Sequence, residues 1–139
     1  MSTSSLTATQ TSGGASLAVL VGRVFLSIMF IFAGYSKLVG IAGTAAWFES
    51  LGIPVPTLAA FGSGIIELVG GLAILVGFQT RIAAIVIAIF TVAATLIAHM
   101  NLADPMQQLL FMKNLSVTGG LLVLAAFGAG ALSIDARRG

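Results

Sequence analysis

The chain has 139 residues, 58% of them hydrophobic and 7% charged, a net charge of +2 and a mean hydropathy of +1.13. A soluble domain carries roughly 25% charged residues, so this composition excludes a water-soluble globule and predicts an integral membrane protein. The absence of cysteine excludes disulfides, thiol relays, iron–sulfur clusters and thioether-linked haem, and a single histidine excludes a bis-histidine haem or a histidine-rich metal centre.

Residues 1–16 are mostly Ser, Thr, Gly and Ala without Lys or Arg. They lack the basic start of a signal peptide and enough apolar content to fold, and are expected to form a disordered polar tail. A first span is predicted over 17–39. Gly40 to Gly43 interrupts it, and residues 44–51 form a short amphipathic segment with an aromatic pair, Trp47-Phe48, suited to lie at the headgroup boundary. Gly52, Pro54 and Pro56 end that segment. The second and third spans, over 58–78 and 82–99, are separated only by Gln79-Thr80-Arg81, which makes them antiparallel neighbours. A polar stretch over 101–108 precedes a fourth span at 113–132, and a short charged tail closes the chain.

These apolar runs are continuous, unlike the ten-residue alternating segments of a membrane barrel. The predicted fold is therefore all-α: an integral membrane four-helix bundle with a short interfacial amphipathic helix between spans one and two. Arg23, Arg81, Arg137 and Arg138 fall toward one side and Lys37 and Lys113 toward the other, so both termini are expected in the cytoplasm. The small net charge is dispersed along the chain and suggests neither a nucleic-acid partner nor a polybasic lipid-binding tract. Residues 70–78 resemble residues 119–127, as an internal duplication or chance in apolar sequence would produce.

Charged side chains within a bilayer cost roughly 2.5–3.5 kcal/mol each on insertion scales and tend to face the bundle interior with a partner. Glu67 lies inside the second span with Ser63, Gly64, Gly70 and Gly71 on its face, so it points into a close helix contact. It serves either as half of a structural ion pair or as a carboxylate lining a proton, ligand or cofactor site. On the first span Arg23, Ser27, Phe30, Gly34 and Lys37 share one face, and Lys37 is the expected partner of Glu67 because both belong to the outer half. Thr91, Thr95 and His99 form a polar stripe on the third span, and Lys113 and Asn114 enter the fourth span from the same side. Lys37, Glu67, His99, Lys113 and Asn114 therefore converge on the outer half of the bundle, with Glu67 and His99 the candidates for proton transfer.

Further elements join these residues: Gly22-Arg23, Phe32-Ala33-Gly34-Tyr35-Ser36-Lys37, Gly52-Ile53-Pro54, Glu67-Leu68-Val69-Gly70-Gly71, Gly77-Phe78-Gln79-Thr80-Arg81, Lys113-Asn114-Leu115, Gly119-Gly120-Leu121-Leu122 and Leu132-Ser133-Ile134-Asp135. Their order and spacing over 17–136 resemble the DoxX family of small bacterial membrane proteins, without departure at the charged positions. The resemblance implies a four-helix inner-membrane protein. It also implies a link to quinone-connected redox systems, to oxidative-stress responses and to partner redox enzymes. Arg23, Lys37, Glu67, Arg81, His99, Lys113 and Asn114 are the ligand-binding candidates, and no metal site is expected.

A redox role would use a bound quinone or flavin, or a partner subunit, because the chain lacks the ligands of an obvious metal centre. Two other classes compete. One is a small proton-coupled transporter built on Glu67; the other is a structural or assembly subunit, self-associating or joined to redox enzymes through glycine-bearing faces.

Overall fold

The computed structural model describes residues 12–138, and among these the elements are α1 (Gly13–Val39), α2 (Ile41–Ser50), α3 (Pro56–Val76), α4 (Thr80–Ala98), α5 (Pro105–Phe127) and α6 (Ile134–Arg138). The four long helices have 27, 21, 19 and 23 residues and are apolar enough to cross a membrane, for which about 20 residues are needed. The short α2 lies between the first two spans, as the composition of that segment predicts.

Three boundaries differ from the sequence reading by four residues or more, and each is decided at the helix end itself. The Ser12 side chain accepts a hydrogen bond from the Ala15 N–H at 3.1 Å. That bond satisfies a free donor at the helix start, so 13–16 join α1 instead of the polar tail; residues 1–11 of the expected tail lie outside the described residues. Asp104 likewise accepts from the Met106 N–H at 3.0 Å, with Pro105 at the first helical position. The fourth span therefore begins at Pro105, within the polar stretch, rather than at 113. It ends at Phe127 rather than 132 because Gly128, at φ +81°, takes the chain out of the helix.

α1 packs along α3, and α4 along α5, with α3 against α4 joining the two pairs. The first contact is a backbone contact: a Cβ at Gly34 would lie 2.5 Å from the Leu68 nitrogen and 2.6 Å from the Gly64 carbonyl oxygen. Small residues allow such approach where no hydrophobic force separates protein from lipid. The two similar segments do not share this packing role. Gly70 and Gly71 press against Ile87 and Ile31, whereas a Cβ at Gly119 would meet nothing within 4 Å.

Phe30, Ile74, Ala84, Ile87, Leu121 and Leu124 form a buried apolar core in the half of the bundle nearer the termini. A second cluster, Ala45, Phe48 and Ala60, seats α2 on α3. Phe25, Phe32, Val69, Ile89 and Phe127 are among the large apolar side chains left exposed on the outside, the face a helix bundle turns to lipid.

Candidate functional site

Glu67 sits about 16 Å along the axis from Pro56, at 1.5 Å per residue, which places it near the middle of its span. The close approach at Gly34 and Gly64 brings α1 beside it, and Lys37 reaches across to donate from Nζ to Glu67 Oε1 at 2.5 Å. The carboxylate side chain is 6% exposed and the lysine side chain 22%. A membrane-embedded carboxylate without a cation would lose its hydration uncompensated, and Lys37 is the partner expected from the helical faces.

On the facing helices Asn114 Nδ2 donates to Thr95 Oγ1 at 2.9 Å, joining α5 to α4. Thr95 in turn donates to the Thr91 carbonyl at 2.7 Å, and Thr91 to the Ile87 carbonyl at 2.8 Å. The threonine stripe therefore satisfies itself along α4 and offers one oxygen to Asn114. Two turns above Thr91, about 12 Å along the helix, His99 caps the end of α4. Its Nδ1 is buried with no hydrogen-bond partner. Burial, and then the charge of Lys113, hold the imidazole below its ordinary pKa.

All of these polar side chains but Thr95 line one cavity of about 320 Å³. All five residues expected to converge, Lys37, Glu67, His99, Lys113 and Asn114, are on its wall. The rest of the wall is mostly apolar, including Phe30, Ala33, Phe90, Ala94 and Ile97, with Ser63 and Thr91 as polar members, and α2 with its C-cap closes over it through Trp47, Phe48 and Leu51. Trp47 and Phe48 sit with ring centroids 5.5 Å apart. Sequence reasoning places α2 at the membrane surface but not over this cavity; the apolar Leu51 and Ile53 beside the aromatic pair were the available signal. Below Glu67 the cavity stops at the apolar core around Phe30, Ile74, Ile87 and Leu121.

Arg23 and Arg81, the remaining ligand-binding candidates, are at the opposite end. Arg23 is 1% exposed. Its Nη1 donates to the carbonyls of Ile74 and Leu75 at 3.1 and 3.2 Å, and its Nη2 to the Leu132 carbonyl. A cation here meets carbonyls of the last turn of α3, adding to the Gly77 N–H that the Ile74 carbonyl already accepts, and opposes the negative end of the helix dipole. Arg81 is exposed and lies against Gly128, where a Cβ would come 3.2 Å from its Nε. Sequence reasoning quotes Asp135 only within the family resemblance and gives it no role; it accepts from the Gln79 N–H at 2.7 Å and the Thr80 N–H at 2.9 Å. It thereby caps α4 from the far end of the chain, a pairing that no local spacing announces.

The comparisons with known proteins agree with this architecture. The DoxX family model matches residues 18–100. The chain is 43% identical over 122 residues to the inner membrane protein YqjF of Escherichia coli, covering 86% of this chain and 90% of that protein. It is 34% identical over 125 residues to the inner membrane protein YphA of the same organism, covering 86% and 89%. A 78-residue match at 35% identity, covering 56% of this chain and 57% of the relative, is to CatD of Bacillus subtilis, whose name marks it as a candidate oxidoreductase. No solved structure matches the chain significantly. The family match, similarity over 86% of the chain to two inner membrane proteins, and four helices long and apolar enough to cross a membrane lead to one conclusion: this chain is a multi-pass inner-membrane protein and belongs to the DoxX family.

Proposed function

We propose that the cavity holds a quinone and that the protein is an accessory component of respiratory or oxidative-stress redox chemistry. The observation that carries this reading is the single cavity in which a mid-membrane ion pair, an unpartnered imidazole nitrogen and an apolar wall meet. Its volume falls within the range of about 300–1,000 Å³ typical of small-molecule sites. Lys37, Lys113 and Asn114 carry N–H donors suited to ring carbonyl oxygens, and His99 Nδ1 has an unmet hydrogen bond. The apolar wall suits an isoprenoid tail. A quinone supplies two-electron, two-proton chemistry when bound. Glu67, already sharing a proton-bearing contact with Lys37, is the group placed to give or take a proton at the deep end, and His99 the group at the mouth. Electrons would come from a partner redox enzyme.

The arginine-rich end supports an orientation with both termini in the cytoplasm, which turns the cavity mouth outward. Proton-coupled export of a cation is less well supported. Lys37 already neutralises Glu67, and the packed core below it leaves the cavity one-ended.

The test is extraction and native mass spectrometry of gently purified wild type and Glu67→Gln. A stoichiometric quinone on the wild type that is depleted in the variant is the expected result. An empty wild-type bundle that copurifies with another protein would overturn the reading in favour of an assembly subunit.

A further inference from the structure

The arginines that look dispersed along the chain are gathered by the fold. Asp135 holds the N-terminus of α4 through Gln79 and Thr80, and the Asp135 N–H donates to the Gly77 carbonyl at 2.8 Å. Residues 134–138 are thus fastened to the turn between α3 and α4, and Arg137 and Arg138 arrive beside the segment that carries Arg81. Each guanidinium is positioned by packing. Arg138 lies 5.0 Å from the centroid of the Phe78 ring, Arg81 rests against Gly128, and Arg137 forms part of a groove wall. None is in an ion pair; among the described residues the one such contact is Lys37–Glu67, at the other end of the bundle. The nearby carboxylate, Asp135, spends both oxygens on backbone N–H groups. Among the described residues, three exposed cations therefore face one carboxylate already in use.

Beside them opens a second cavity of about 320 Å³, lined by Val76, Ala131, Leu132, Ser133, Ile134 and Arg137. It is an apolar trough with a cation at its edge, at the end of the spans where headgroups lie. We propose that this surface binds an anionic phospholipid, the phosphodiester on the arginine cluster and the first part of an acyl chain in the groove. Excess positive charge selects the headgroup, and the adjoining apolar wall selects a lipid over a free phosphate. The site is independent of the cavity around Glu67.

The test is native mass spectrometry of the detergent-solubilised full chain titrated with phosphatidylglycerol, phosphatidylcholine or soluble glycerol 3-phosphate. Wild type is expected to retain phosphatidylglycerol over phosphatidylcholine. The double variant Arg137→Gln/Arg138→Gln is expected to lose that preference by about fivefold for each guanidinium removed. The wild-type preference should also shrink as ionic strength rises, a readout that needs no variant to fold. Equal retention of the two lipids, a salt-insensitive preference, or glycerol 3-phosphate binding as tightly as phosphatidylglycerol would each overturn the proposal.

Discussion

Lys37 and Glu67 form the ion pair that a desolvated carboxylate in mid-span requires. Removing one partner of a desolvated pair leaves the other charge uncompensated, at a cost of about 3–5 kcal/mol, whereas replacing both is far cheaper. Lys37→Met is therefore expected to lower the melting temperature in detergent sharply, and Lys37→Met/Glu67→Gln to recover most of the loss. Additive losses would show that the two side chains do not interact in the folded protein. Gly34 makes a separate demand. Gly34→Ala puts a methyl group 2.5 Å from the Leu68 nitrogen, so α1 and α3 must separate, and destabilisation of at least about 1–3 kcal/mol is expected by analogy with overpacked cores. Gly22→Ala is the matched control on the same helix, because nothing lies within 4 Å of its added carbon. Its melting temperature should hold or rise. The Lys37–Glu67 pairing was legible in the sequence because a 4-3-4-3 spacing and a run of small residues both specify faces. The orphaned Nδ1 of His99 was not, since it depends on what packs around the ring.

At the scale of the helices, ends carry the information that hydropathy lacks. Asp104 and Ser12 start α5 and α1 earlier than their apolar runs begin, since an acceptor for free N–H groups is worth about 1 kcal/mol irrespective of the hydropathy of the first turn. Asp135 does the same for α4 across 55 and 56 residues of sequence. Burial alone would raise its carboxyl pKa; hydrogen bonds from the Thr80 and Gln79 backbone, together with the Arg138 charge, outweigh that and hold it below the ordinary value. A depressed carboxyl stabilises the fold fully above the unfolded pKa of about 3.9. That contribution is lost as pH falls through the lower folded value. Asp135→Asn should thus cost on the order of 1 kcal/mol at neutral pH, the difference between a charged and a neutral acceptor. The melting-temperature difference between wild type and variant should close on acidification below about pH 4. A difference that persists unchanged at low pH would show that the charge of Asp135 contributes nothing.

For the molecule as a whole, the bundle is asymmetric along the membrane normal. The half nearer the termini is filled by side chains and tied together by Arg23, while the other half holds the cavity around Glu67. Because the chain has no cysteine, single cysteines report on this directly. On the proposed orientation, which opens the cavity outward, Ala98→Cys in intact cells with a permeabilised outer membrane is expected to react with a membrane-impermeant maleimide. Ile87→Cys, fully buried in the core, should stay unreactive. Ala136→Cys should react only after the inner membrane is broken. The opposite pattern at Ala98 and Ala136 would reverse the orientation, and labelling at Ile87 would mean that the lower half opens.

The amino-acid sequence alone determined the membrane location, four helical spans and the surface helix between the first two. Those properties follow from local composition and from the requirement that every backbone group in lipid be satisfied within a helix. Helical periodicity also placed Lys37, Glu67, His99, Lys113 and Asn114 in one half of the bundle, because faces and levels can be counted along each span. Tertiary structure alone decided that α2 roofs the resulting cavity, that the core of Phe30, Ile74, Ile87 and Leu121 closes it from below, and that Arg23 serves backbone carbonyls. It alone also brought Asp135 to the start of α4 and thereby collected Arg81, Arg137 and Arg138 at one end. Such groupings depend on which helices become neighbours and at what height, and that is settled by close backbone approach at glycines and by long-range capping, neither of which leaves a period in the chain.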